Sequence, residues 1–160
     1  MIAVDNMIIA WGLSATTDPA HAELAARART FFTNLTEDVL VPAPVLAEFL
    51  VEVPLERHHG VLNALRRSFR IAPLDLPAAT KAAEVTIRNF ERVRGASPGT
   101  PGLRQALKVD ALVLGVALVH GASSIMSHDD RLAKMAEGFP IKVVELPPIP
   151  TSQRELGSWE

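Results

Sequence analysis

The chain has 160 residues, a length that fits one domain, with 48% hydrophobic and 21% charged residues, an ordinary globular balance. It contains no cysteine, which excludes disulfides, thiolate metal sites and thiol nucleophiles; a protein-bound metal must take oxygen or imidazole ligands, as the hard cations Mg²⁺ and Mn²⁺ do. A net charge of −2 is not the broad basic footprint of a nonspecific nucleic-acid binder, so RNA would have to be met by a local patch or through metals.

Residues 1–4 are short and apolar and end at Asp5, which predicts a first strand, and residues 6–13 can start a helix. The first ten residues lack a basic segment and carry Asp5, unlike a signal peptide. Residues 18–35 have helical spacing: Asp18 can cap, Pro19 suits the first turn, and Leu24, Ala25, Ala28, Phe31, Phe32 and Leu35 form one apolar stripe. A second strand is expected over residues 38–41. Pro42 and Pro44 then open a helix whose buried face is Val45, Leu46, Phe49, Leu50 and Val53.

Residues 58–69 predict another helix, with Val61, Leu62, Leu65 and Phe69 inward, and residues 70–72 a short strand. Pro77 begins a helical stretch to about Arg94, followed by a glycine- and proline-rich loop over residues 95–102. Residues 103–120 are helical, and residues 111–119 are apolar all round, which predicts deep burial. A buried strand over 122–126, a short helix over 130–137 and a last strand over 141–144 complete the pattern; an extended tail with three prolines follows from Glu145. Neither of the most apolar runs suits a membrane span, since residues 39–53 contain Pro42, Pro44, Glu48 and Glu52 and residues 111–119 are too few. A cytoplasmic protein without a membrane segment is expected. Short apolar strands alternating with helices argue for an α/β fold with a parallel sheet covered on both faces, in which ligands bind beyond the carboxyl ends of the strands.

Four acids occupy such places. Asp5 follows the first strand and also suits a helix N-cap. Glu48 lies on the helix after the second strand, and its spacing of four with Glu52 and Glu56 also suits a solvated face. Asp110 directly precedes the apolar run 111–119 but already lies inside a helix, where an unpaired buried carboxylate costs several kcal/mol unless a cation relieves it. Asp129 and Asp130 follow the strand at 122–126; Ser127 and Asp130 have capping-box spacing, and Asp130 is an alternative ligand to Asp129. Clustered carboxylates repel one another unless a cation enters, and a hydrated Mg²⁺ needs only one or two of them.

At these residues the sequence resembles the PIN-domain family, and more closely the VapC-type toxins of bacterial toxin–antitoxin systems. The matching stretches are Ile2-Ala3-Val4-Asp5, the run from Val41 through Pro42, Ala43 and Pro44 to Glu48 and Leu50, Lys108-Val109-Asp110-Ala111 with the leucines and valine after it, and Ser127-His128-Asp129-Asp130-Arg131-Leu132-Ala133. They span nearly the whole chain in the family's order. The resemblance implies a three-layer α/β/α sandwich around a parallel sheet over residues 1–145, with a Pro-rich C-terminal tail over 146–160. It implies a Mg²⁺- or Mn²⁺-dependent endoribonuclease, a homodimer, and silencing by a small antitoxin from a neighbouring gene. By carry-over, Asp5, Glu48, Asp110 and Asp129 form the acidic quartet, and Ser127 is the hydroxyl residue that supports the last acid. The sequence departs from the family pattern at Met7, where a small polar residue is usual, while Asn6 stands one position early.

Arg104, Lys108 and Arg131 flank these acids and are candidates for phosphate contact. His120 and His128 make no metal-binding spacing with another histidine. Three functions compete: a metal-dependent ribonuclease toxin, a PIN-like interaction module with a weakened site, and a different phosphohydrolase on a parallel sheet. The last lacks the support of any glycine-rich phosphate loop.

Overall fold

A computed structural model describes residues 1–13, 19–89, 91 and 102–149. Within them the chain runs β1 (Ile2–Val4), α1 (Asn6–Leu13), a 3₁₀ turn (Pro19–His21), α2 (Ala22–Thr33), β2 (Val39–Pro42) and α3 (Ala43–Val51). A second 3₁₀ turn (Leu55–Arg57) leads to α4 (His58–Ser68), β3 (Arg70–Ala72), α5 (Leu76–Arg88), α6 (Leu103–Val119), β4 (Ser124–Met126), α7 (Asp130–Ala136) and β5 (Lys142–Val144). The expected helices and strands are present with ends shifted by at most four residues, except that the helix expected from Pro77 to about Arg94 closes as α5 at Arg88; residues 90 and 92–94 of that expectation fall outside the described residues. The Asp18 cap and the loop at 95–101 fall outside the described residues.

The five strands form one all-parallel sheet in the order β3-β2-β1-β4-β5. Ile2 pairs with Val39 on one side and Ser124 on the other, so β1 lies at the centre. Every residue of β1 and β2 is buried, as strands covered on both faces require, whereas edge strand β5 keeps none of its residues buried. This is the expected three-layer α/β/α architecture. The chain runs outward from β1 through β2 to β3, then crosses back to β4 and β5. The order therefore reverses between β1 and β4, the kind of switch point where parallel sheets open a crevice at their carboxyl ends.

Local chemistry sets several boundaries. Pro42 closes β2 in extended geometry and caps α3, where Pro44 occupies the first turn. Asp75 caps α5 by accepting from the Ala78 N–H at 2.9 Å. α3 ends at Val51, so Glu52 and Glu56 do not continue a helical face with Glu48. The tail begins anchored: Leu146 is 1% exposed within the core, and the Arg27 guanidinium donates to the carbonyls of Leu146 and Pro147. Among the described residues no helix is long and apolar enough to cross a membrane.

Helix α6 is the most buried helix, with Leu107, Ala111, Val113, Leu114, Gly115, Val116 and Ala117 all inside. It meets α5 at Gly115, where an added Cβ would lie 2.6 Å from the Ala78 carbonyl oxygen and 2.7 Å from the Ala82 nitrogen. Glycine lowers helix propensity by about 1 kcal/mol relative to alanine, so it is retained here for backbone-to-backbone packing. Gly115→Ala should therefore destabilise the protein by about 1–3 kcal/mol, as overpacked sites do, despite the gain in propensity. Urea unfolding of the variant against the parent measures it; an unchanged or raised midpoint would contradict this packing.

Candidate functional site

The switch point carries the acids. Asp5 leaves the end of β1 with its backbone still in the ladder, its N–H bonding the Met126 carbonyl at 3.1 Å. Its carbonyl accepts from Ile8 and Ile9 as α1 begins, and its carboxylate accepts from the Asn6 N–H at 2.6 Å. Across the switch, Ser127 follows β4. It is the buried polar residue of the described chain, and its hydroxyl donates to Asp5 Oδ2 at 2.7 Å. Ser127 Oγ in turn accepts from the Asp129 N–H at 3.0 Å, so one hydroxyl ties the ends of β1 and β4 together and shapes the turn before α7.

The turn differs from the capping box that the spacing of Ser127 and Asp130 suggested. Asp129 is the cap of α7, accepting from the Arg131 N–H at 2.8 Å, because the Ser127 hydroxyl is committed to Asp5 and the Asp129 amide. Both Asp129 oxygens also face the Arg131 guanidinium: Nε lies 3.1 Å from Oδ1 and 3.2 Å from Oδ2, and Nη2 lies 2.5 Å from Oδ2. Asp130 is exposed at the first position of α7. Arg104 and Lys108 are exposed on the first two turns of α6, short of Asp110.

The acids sense one another. Burial pushes the Asp110 carboxyl up to about 7; the Arg131 charge opposes this, and Asp129, Asp5 and Glu48 each add to it. Burial also raises Asp5, against the hydrogen bonds from Ser127 and Asn6. Glu48, exposed on α3, is raised by partial desolvation and then by the negative charge of Asp5. Asp129 moves the other way, held below its ordinary value chiefly by the Arg131 hydrogen bonds. Asp110 thus senses the other three carboxylates named from the sequence, Asp5 senses Asp129, and Glu48 senses Asp5. Two of them, Asp5 and Asp110, are the desolvated members.

Two buried side-chain oxygens have no hydrogen-bond partner among the described residues, Asp110 Oδ2 and Asn6 Oδ1. Asn6 entered the sequence reading only as a polar residue one position early; its neighbour Met7 is 37% exposed, whereas the Asn6 oxygen is the one turned inward beside Asp5. The signal that could have found it is position, the first residue of a helix that follows a central strand. Unpartnered acceptors beside desolvated, mutually repelling carboxylates fit a hard cation. No three His, Asp or Glu groups among the described residues stand close enough to ligate one ion directly. A divalent ion here would be held by one or two carboxylates, with waters completing its shell.

A family model described as the PIN domain matches residues 2–138. Comparison with curated protein sequences gives no match. Among solved structures, a toxin–antitoxin complex from Klebsiella pneumoniae aligns with a TM-score of 0.59 at 13% identity, over 93% of this chain and 100% of that one. VapC20 of Mycobacterium tuberculosis, described as a sarcin–ricin loop cleaving toxin, aligns with a TM-score of 0.56 at 19% identity, over 89% and 99%. VapBC2 of Rickettsia felis, bound to a promoter DNA fragment, aligns with a TM-score of 0.55 at 14% identity, over 92% and 100%. At these identities the likeness establishes the fold.

Asp110 gives the metal-free site a measurable signature. A carboxyl raised in the folded state contributes stability that is present below its unfolded value near 4 and lost as pH rises through about 7. In chelator, the melting-temperature excess of Asp110→Asn over the parent should grow as pH rises from about 4 to about 7 and level off above that. A difference independent of pH would show that Asp110 is not desolvated in this way.

Proposed function

Because this chain belongs to the PIN-domain family, we propose that it is a Mg²⁺- or Mn²⁺-dependent endoribonuclease, the toxin of a toxin–antitoxin pair. The observation that carries the reading is the unpartnered, buried Oδ2 of Asp110, set in a field of three further carboxylates at the switch point of a parallel sheet. Asp5, Glu48, Asp110 and Asp129 would hold the ion, directly or through water. Once bound, it would supply Lewis-acid stabilisation of the phosphoryl oxygens and a more acidic water for phosphodiester hydrolysis.

The chain's own residues do the rest. Ser127 keeps Asp5 Oδ2 in place and so fixes the direction of the remaining Asp5 lone pairs. The Asn6 N–H on Asp5 Oδ1 does the same for the other oxygen. Asp110 takes up a proton near neutral pH in the metal-free protein, so cation binding must release it and should strengthen from pH 6 to pH 8. Arg104 and Lys108, exposed on α6, are available to phosphates of the RNA strand. The named toxin–antitoxin complexes that share the fold support a small antitoxin partner from a neighbouring gene. A homodimer is proposed with it, for which exposed Val51 and Leu55 offer apolar surface. The reaction is assigned to the cytoplasm.

Purified protein should cleave structured RNA with Mg²⁺ or Mn²⁺ and stop in EDTA. Loss of an outer partner such as the hydroxyl in Ser127→Ala should cost roughly 10–100-fold, and Asp5→Asn or Asp110→Asn more than that. Undiminished cleavage by both aspartate variants in EDTA would refute the assignment. Parallel assays on DNA and a small phosphomonoester separate RNA hydrolysis from other phosphohydrolase chemistry.

A second reading, a PIN-like interaction module with a weakened site, is favoured by the absence of three ligand-distance groups among the described residues and by Met7. Calorimetry that detects no Mn²⁺ binding while a partner complex persists would select it.

A further inference from the structure

Asp129 is the one acid of the four whose charge is already met, and the group that meets it belongs to the same turn. The Arg131 guanidinium reaches both carboxylate oxygens, at 3.1 and 3.2 Å from Nε and 2.5 Å from Nη2. Its charge also acts on Asp110 and Asp5, for each of which Arg131 is a stabilising cation. Arg131 is the cation that recurs in the shifts of Asp5, Asp110 and Asp129. A planar guanidinium forked onto a carboxylate consumes the lone pairs that a metal or its waters would use.

We infer that Arg131 is an exchangeable counter-ion, holding the place of a divalent cation at Asp129 and competing with it for that carboxylate. The inference rests on the metal-site reading proposed above and adds a residue that regulates it.

The geometry suits exchange rather than permanent pairing. The Arg131 side chain is 45% exposed against 22% for Asp129, so the guanidinium can leave into water while the carboxylate stays turned inward. Exposed ion pairs contribute little net stability, whereas a doubly charged ion among several acids gains from each of them. The helix cap does not depend on the fork, since it is the Arg131 backbone N–H that bonds Asp129 Oδ1 at 2.8 Å. Replacing the side chain thus removes the competitor and leaves the backbone bond that begins α7. Release also frees a cation next to the acids, able to meet a substrate phosphate only when the site is loaded.

Two roles for Arg131 make opposite predictions. If the fork merely orients Asp129 for the metal, its loss weakens binding. If it competes, its loss strengthens binding. Mn²⁺ calorimetry on the full chain, with circular dichroism to check folding, decides between them for Arg131→Ala and Arg131→Gln. The expected result is Mn²⁺ bound up to about fivefold more tightly by both variants, the factor that a surface ion pair is worth. The Mn²⁺-induced rise in melting temperature should also be larger than in the parent. Lys134→Ala removes an equal charge one turn along α7 and should give a smaller gain. Equal gains in Lys134→Ala and Arg131→Ala would mean a diffuse field effect and overturn the inference. Unchanged or weaker binding in the Arg131 variants, with parent binding intact, would overturn it alone and leave the metal site standing. No Mn²⁺ binding by the parent or by either Arg131 variant would remove both.

Discussion

A carboxylate oxygen with neither solvent exposure nor a hydrogen-bond partner among the described residues governs the acidic end of this sheet. Asp110 sits where α6 turns from amphipathic to wholly apolar, and the helix cannot roll to expose it. Gly115, a little more than a turn further on, brings the α6 backbone against Ala78 and Ala82 of α5, and the buried run from Val113 to Ala117 fills the space around it. Packing energy distributed along the helix thus holds one costly oxygen in place. Burial is the largest influence on its proton affinity, ahead of any neighbouring charge.

The second constraint is topological. The strand order reverses between β1 and β4, so the residues just past those strands have no crossover helix between them and face each other directly. Ser127 and Asp5 occupy those two positions and bond across the gap. Glu48 arrives from the neighbouring strand by way of α3, which also packs on α6, and remains the exposed member. The acids therefore span a range of environments, from Asp110 near neutral pKa to Asp129 depressed by its guanidinium.

Much of this could be read from the residues. Hydrophobic spacing located the described helices and strands because each buries one continuous apolar face, and Pro42, Pro44 and Pro77 mark helix starts by steric rules that act locally. Asp110 was legible from its apolar setting alone. What escaped were choices between two partners for one atom. Ser127 has the spacing of a helix cap, but its hydroxyl serves Asp5, 122 positions away in the chain, and Asp129 becomes the cap instead. Asn6 looked like a residue out of register, and only the end of a central strand turns its oxygen inward. The fork of Arg131 on Asp129 was equally hidden, since i to i+2 neighbours do not meet within a helix and do so here because the turn precedes it.

The bond between Ser127 and Asp5 has a temporal side as well. Its partners belong to the first and fourth strands, and Asp110 reaches the same place from a helix that itself follows three strands. No stretch of the first hundred residues contains more than half of the acidic set. During synthesis the growing chain therefore carries scattered carboxylates, each solvated and chemically ordinary, until β4 slots in beside β1. Such distant pairings are the slow part of folding. The acidic set is complete only in the full fold, since a chain cut short before Ser127 lacks both Asp129 and the hydroxyl that holds Asp5 Oδ2.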